Sequence, residues 1–183
     1  MDGIEWTACA MQTARARLEI AARNLANAST DGFRKTIAHV ALNARGLVVR
    51  PSVSSEQGAL RHTGRTLDLA IVGEGSFVVG GVPTRNGAFV RDARGYLADD
   101  RGRRVQGTRG FVRVAADGTL LDTIPLPYRS RIVAGALESP NVNAVGEMVA
   151  VLDAQRAFET AQKALVSIDE TRAKEANEVA RLR

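Results

Sequence analysis

The feature that most restricts this chain is where its glycines are absent. Gly and Pro are missing from Ile4 to Thr30, and all but two of the seventeen glycines lie between Gly46 and Gly146. A stretch without helix breakers permits a long helix, and a stretch dense in glycine does not. The chain therefore reads as two helical ends around a turn-rich middle.

From about Ile4 to Ala28, Ile4, Ala8, Met11, Leu18, Ala22 and Leu25 follow alternating steps of four and three, with Arg15 the one polar interruption. That is a heptad-like stripe on one face of a helix, expected to extend roughly 37 Å at about 1.5 Å per residue. The last segment, from about Val145 to Leu182, repeats the pattern. Val145, Met148, Val149, Leu152, Phe158, Leu165, Val166 and Ile168 make an apolar face among Gln, Arg, Glu and Lys. Asn143 is the expected N-cap, after a Ser-Pro-Asn boundary that disfavours helix. Gly146 weakens the first turn by about 1 kcal/mol relative to Ala.

The middle is expected to be β. Leu67 to Val72, Ser76 to Val79 and Gly110 to Val114 have the texture of strands. Gly95, Gly102 and Gly118 mark turns, with Asp117-Gly118 the strongest hairpin signal. The class is α+β, with long N- and C-terminal helices forming a paired, coiled-coil-like unit and a small all-β domain inserted between them. The boundaries read as residues 1–36 for the first helix and its exit, 37–62 for a linker, 63–138 for the β domain and 139–183 for the C-terminal helix. Such helices expose more apolar face than the middle covers, so the remaining partners are each other or further copies.

A net charge of +5 and a pI near 10.1 raise a nucleic-acid reading. Arg91, Arg94, Arg101, Arg103, Arg104, Arg109 and Arg113 cluster, but Asp92, Asp99, Asp100 and glycines interrupt them without a stacking row of aromatics. A solvated Arg-rich face is expected, and nucleic acid is not an expected partner. A basic module dimerising through its helices remains the alternative. No enzymatic activity, metal or cofactor is expected. His39 and His62 are the only histidines and neither has metal-ligand spacing. Cys9 is a lone thiol in a helix, and Gly73 to Phe77 fits neither a dinucleotide loop nor a nucleophile elbow. The start carries Asp2 and Glu5, and no apolar run approaches the ~20 residues of a bilayer span, so neither membrane insertion nor a cleavable signal is expected.

The stretch ARNLANASTDGFRK, Ala22 to Lys35, resembles the signature that closes the first helix of the bacterial flagellar rod and hook proteins. Asn24, Leu25, Ala26, Asn27, Thr30, Gly32 and Phe33 match it, and Arg23 stands where that family has Asn. Thr63 to Val79 and Thr84 to Gly107 are similar to the segments that enter and form the family's β domain. Ser139 to Leu165 is like its C-terminal helix motif, with Gly146 where an acidic residue is common. Four blocks in order resemble most closely the rod proteins of the FlgF/FlgG kind, with residues 37–57 and the part after Gly107 shortened.

The resemblance implies a structural subunit of the basal-body rod, exported through the flagellar type III apparatus and self-assembling through its terminal helices. A hook protein or related flagellar scaffold is a further alternative. Its partners would be copies of itself, other rod and hook subunits and the export apparatus. The assembly residues it implies are Ile4, Ala8, Met11, Leu18, Ala22, Leu25, Val145, Met148, Leu152, Phe158, Leu165 and Ile168. Gly32 would permit the turn after the helix, Phe33 would plug the junction beyond it, and Asn24 and Asn27 would bond free backbone groups at the helix end.

Overall fold

The structure, a computed structural model, describes residues 2–43 and 46–181. Leu182, the expected end of the last helix, lies outside the described residues. The chain divides into two compact units. One comprises Met1–Ala26, Thr36–Ser54 and Asn143–Arg183, and the other Asn27–Lys35 and Ser55–Val142.

The first unit is built on two helices, α1 (Gly3–Ala26) and α2 (Ala144–Arg181). The first turn of α1 is closed by a reciprocal cap. Glu5 N–H donates to Asp2 Oδ1 at 2.9 Å, and Asp2 N–H donates to Glu5 Oε2 at 3.1 Å. The Glu5 N–H and the Arg172 guanidinium hold the Asp2 carboxyl below the usual range. Asn143 caps α2 as expected, its Oδ1 accepting the Gly146 N–H at 3.1 Å.

The helices pack along one another and run antiparallel. Asn24 Nδ2 donates to Glu147 Oε2 at 3.1 Å where α1 ends, and Arg172 Nη2 reaches Asp2 Oδ2 at 3.0 Å where it begins. The expected linker, 37–62, is corrected. Residues within it form β1 (Thr36–Asn43) and β2 (Gly46–Val53), an antiparallel pair packed on α1, followed by β3 (Leu60–His62). Ile37, Val40, Val48, Val49 and Val53 favour extended backbone, and pairs such as Val40 with Val49 lie directly opposite across the ladder.

The second unit holds β3 with β4 (Leu69–Val72), β5 (Phe77–Val79), β6 (Val82–Thr84), β7 (Val90–Arg91), β8 (Leu97–Ala98), β9 (Gln106–Gly107), β10 (Gly110–Phe111), β11 (Arg131–Ala134) and β12 (Ala136–Glu138). They pair antiparallel in twos: β3 with β12, β4 with β11, β5 with β6, β7 with β8 and β9 with β10. Single bridges such as Val79 to Val105 and Ala98 to Arg104 join some of the short ladders.

Leu69, Ile71, Phe77, Val79, Phe89, Leu97, Val105, Val112, Val114 and Ile124 form one core. Phe77 and Phe89 meet edge to face, 5.1 Å between centroids at 89°. Backbone comes unusually close at Gly87, where a side chain would begin 1.6 Å from the Leu69 carbonyl oxygen. Only a hydrogen fits there, beside the 3.0 Å bond from Leu69 N–H to Gly87 O.

The turns repeat a device. Asp92 Oδ1 accepts the N–H groups of Arg94 and Tyr96, both at 2.8 Å. Seven residues on, Asp99 Oδ1 accepts those of Arg101 and Arg103 at 3.0 and 2.8 Å. Burial opposes ionisation of Asp99, but the Arg103 N–H and guanidinium outweigh it and its pKa is lowered.

The Arg-rich face is largely exposed, as expected, with Arg91, Arg94, Arg101, Arg103, Arg109 and Arg113 all in solvent contact, but some of its arginines also take partners within the chain. Arg104 Nε donates to Asp92 Oδ2 at 2.9 Å, and its guanidinium lies 4.5 Å from the Tyr96 ring centroid and 5.7 Å from that of Phe111. Arg103 pairs with Asp99 at 2.7 Å, and Arg91 Nε donates to Val114 O at 3.1 Å. The aspartates that interrupt the run in sequence recruit arginines of the run as structural partners.

Candidate assembly surfaces

α2 presents two unlike faces. Along one, Glu147, Ala154 and Ala161 are buried at heptad spacing, and Phe158, Leu165 and Ile168 are half-buried. This face meets α1. Glu147 bonds Asn24, and Ile168 Cδ1 lies 3.3 Å from where a Gly3 side chain would begin. Along the other, Val145, Met148, Val149 and Leu152 are 69%, 52%, 52% and 53% exposed. Spacings of three, four and seven place these four on one stripe. It continues through exposed Arg156, Glu159 and Lys163 to Val166.

The twelve assembly residues read from the sequence thus divide. Phe158, Leu165 and Ile168 are half-buried, whereas Val145, Met148 and Leu152 face outward. On α1, Ile4, Ala8, Met11, Leu18 and Leu25 are half-buried and Ala22 is exposed. The residues most deeply covered on α1 are Thr13, Ala14, Ala21 and Asn24. A reading weighted toward the largest apolar side chains misses this line, because closely packed helices bury small residues at their contact. The heptad pairs Ala14 with Ala21, and Ala154 with Ala161, were the signal that would have found it.

Asn24 is 1% exposed, and its amide joins the start of β1 rather than the end of its own helix. Oδ1 accepts the Thr36 N–H at 2.9 Å and Nδ2 donates to Thr36 O at 2.8 Å. The carboxamide mimics a strand partner and also holds the buried Glu147 carboxylate. Asn27 serves the following turn, its carbonyl accepting the Thr30 N–H at 3.0 Å and its Oδ1 the Thr30 hydroxyl at 3.3 Å.

In the β unit, Gly32 has φ +72° and a side chain there would start 2.2 Å from Asn86 N. Positive φ and close backbone approach both require glycine. Its N–H donates to the Glu138 carbonyl at 2.6 Å. Phe33 is half-buried, and its carbonyl accepts the Asn141 N–H at 3.4 Å. Asn141 Oδ1 accepts the Lys35 N–H at 2.7 Å, and its amide donates to Glu56 O at 2.9 Å.

Beneath this loop lies a buried charge pair that sequence reasoning missed. Arg85 Nη1 is 3.1 Å from Glu138 Oε2, and neither residue is more than 4% exposed. Arg85 also donates to the carbonyls of Ile71 and Gly73, while Glu138 accepts the Gly58 N–H at 3.2 Å and lies 3.7 Å from Arg34. Burial pulls the Arg85 pKa down, and Glu138 opposes that fall. The two partners are 53 positions apart, so no local pattern announces them.

Among the described residues no group of His, Cys, Asp and Glu could hold a metal ion, and no helix is long and apolar enough to cross a membrane. His39 bonds Ser52 at 2.7 Å on the exposed hairpin, and Cys9 is half-buried in α1.

The model for flagella basal body rod proteins matches residues 7–34, and that for the flagellar basal body rod FlgEFG protein C-terminal region matches residues 133–179. The flagellar basal-body rod protein FlgF of Caulobacter vibrioides is 30% identical, with 82% of this chain and 86% of that protein aligned. FlgF of Escherichia coli is 28% identical over 82% of this chain and 87% of its own length. The flagellar hook protein FlgE of Brucella abortus is 36% identical over 50% of this chain, which spans 27% of that longer protein.

Proposed function

Because this chain belongs to the flagellar basal-body rod protein family, we propose that it is a non-enzymatic structural subunit of the rod, self-assembling through its terminal helices. The observation that carries this reading is the uncovered start of α2. Four large apolar residues, Val145, Met148, Val149 and Leu152, stand in solvent within the segment that matches the family's C-terminal region. A contiguous apolar patch left open on a helix marks an interaction surface.

The reading extends to partners and route. Other rod and hook subunits are the neighbours, the subunit reaches them through the flagellar type III apparatus, and α1 with α2 forms a coiled-coil-like element of the shared tube. The nucleic-acid reading is not favoured, since Arg91, Arg103 and Arg104 are committed to partners within the chain.

The test is Leu152→Asp in a strain lacking the native copy. Leu152 is exposed, so the variant should fold, yet it is expected to be missing from purified basal bodies and to leave cells non-motile. Normal incorporation and swimming would sink the helix-mediated reading.

A further inference from the structure

The β unit carries a groove that its own core leaves open. Two hollows of about 390 and 560 Å³ lie side by side and share Thr108, Asp122 and Thr123 as a common wall. Both are of the size of ligand clefts. The larger has an apolar floor of Leu120, Ile124, Leu126 and Ile132, and the smaller is edged by Arg109 and Leu121. Leu121 is 59% exposed, so the fold leaves its side chain uncovered.

The far wall of the larger hollow is stiff. Pro125 and Pro127 fix two φ angles on either side of Leu126, and the Ser130 N–H donates to the Pro127 carbonyl at 3.1 Å. Inside that turn Arg129 is held at φ +78°, the one non-glycine residue with positive φ among the described residues. A side chain resists this conformation, so the surrounding turn imposes it, and imposed strain of this kind gathers at binding sites. The same turn carries Tyr128, which is 95% exposed. A tyrosine beside arginines on an already ordered turn is the type of surface that dominates contacts, because little freedom is left to lose.

Charge selects the occupant. Arg109 and Arg131 line the groove, Arg129 stands in the turn, and Arg113 accepts the Leu121 N–H through its carbonyl at 2.9 Å. Against these stand two carboxylates. Asp122 Oδ2 accepts the Arg113 N–H at 3.0 Å, and Glu74 is next to Gly75, which abuts Pro127 and Leu126. Four arginines against two carboxylates leave the border positive. A second copy would bring the same basic border on a chain of net charge +5, so like would meet like. A nucleic acid wants a row of stacking rings, whereas the turn offers one, and it has no use for an apolar floor.

We propose that this groove docks a partner protein through an extended acidic segment with two apolar side chains two positions apart. In an extended chain such side chains point the same way about 7 Å apart, so they enter the neighbouring hollows. Flanking carboxylates then meet the arginines of the border. The inference does not rest on the helix-mediated reading, and the two fail separately.

The probe is a fluorescein-labelled peptide, Glu-Glu-Leu-Glu-Leu-Glu-Glu, titrated with the full chain and followed by anisotropy. Saturable binding is expected. Replacing both leucines of the peptide by Ser, or every Glu by Lys, should weaken it about tenfold or more. In the chain, Arg131→Glu and Leu121→Ser should each weaken binding about tenfold. Arg17→Glu makes the same charge change at an exposed position of α1 and should leave binding within about twofold, since exposed charges beyond a Debye length are screened. Arg131 and Leu121 are exposed, so both variants should fold, which far-UV circular dichroism checks. If Leu121→Ser unfolds, Tyr128→Ser takes its place.

Failure of the Glu/Leu peptide to bind would overturn the proposal. So would equal losses with Arg17→Glu and Arg131→Glu, which would reduce the binding to general attraction toward a basic chain. Displacement by unlabelled oligothymidylate as readily as by unlabelled peptide would overturn it too, giving the groove to nucleic acid. None of these outcomes bears on basal-body incorporation of Leu152→Asp, which tests the helix-mediated reading alone.

Discussion

The β unit and the helix unit solve burial in opposite ways. In the β unit, Phe77, Leu69, Ile71, Leu97, Val79, Val105 and Val112 are covered by their own chain to within 2% of full burial. Asp68 is equally deep and is satisfied locally, by the Thr63 hydroxyl at 2.5 Å and by both ends of the Arg65 fork at 2.9 and 2.7 Å. In the helix unit the buried apolar residues are alanines, Ala14, Ala21, Ala154 and Ala161, while Trp6, Val145, Met148, Val149, Leu152 and Val166 stand in solvent. The β unit leaves Val82, Leu121 and Tyr128 exposed but gathers its large side chains into one core, whereas the helix unit buries alanines and leaves large side chains of α1 and α2 outside.

The sharpest way to break that contrast is to open the β core. Phe77→Ala removes a fully buried ring and its edge-to-face partner, and is expected to cost about 3–5 kcal/mol in chemical denaturation followed through the β signal. A loss under about 1 kcal/mol would mean that the core is not self-supporting.

Arg104→Asp is the middle case. It removes the stack on Tyr96 and sets a carboxylate beside Asp92, whose own carboxyl is held low first by the Tyr96 N–H, against opposing desolvation, and further by Arg104 and the Arg94 N–H. The expected cost is about 1–2 kcal/mol of β-unit stability, with Arg104→Lys recovering only part of it, since the ammonium lacks the planar fork. An unchanged denaturation midpoint would show that Arg104 is solvated like the exposed arginines around it.

Met148→Ser should have the smallest effect. The residue is half in solvent, so the isolated chain is expected to change by less than ~0.5 kcal/mol, measured by the same denaturation. A larger loss would show that this face is already covered within the chain.

Much of the plan was legible in the residues themselves. Absence of Gly and Pro allowed α1, Asn143 capped α2, and Gly32 took the positive φ that its turn demanded. At Asp117-Gly118 the chain does turn, with Ala115 N–H bonded to Thr119 O at 2.9 Å and Gly118 at φ +88°. These are short-range matters, in which each residue's backbone preference acts within a few positions of itself.

Other features depended on the tertiary structure. The 37–57 segment lacks a clean two-residue alternation, and its strands exist because β1 and β2 lie across from each other with α1 beneath. Periodicity marked apolar faces on both helices, but the antiparallel packing decided that alanines go inward and Met148 and Leu152 outward. The Asn24–Glu147 bond joins residues 123 positions apart, and Arg85 meets Glu138 across 53. A polar side chain tells nothing local about which distant charge will share its burial, because that pairing forms only when the intervening chain folds and removes both from water. The sequence by itself determined the elements, their caps and their turns. Which faces close on one another and which stay open for a partner was decided by the fold, since burial belongs to a pair of surfaces and a single segment holds only one of them.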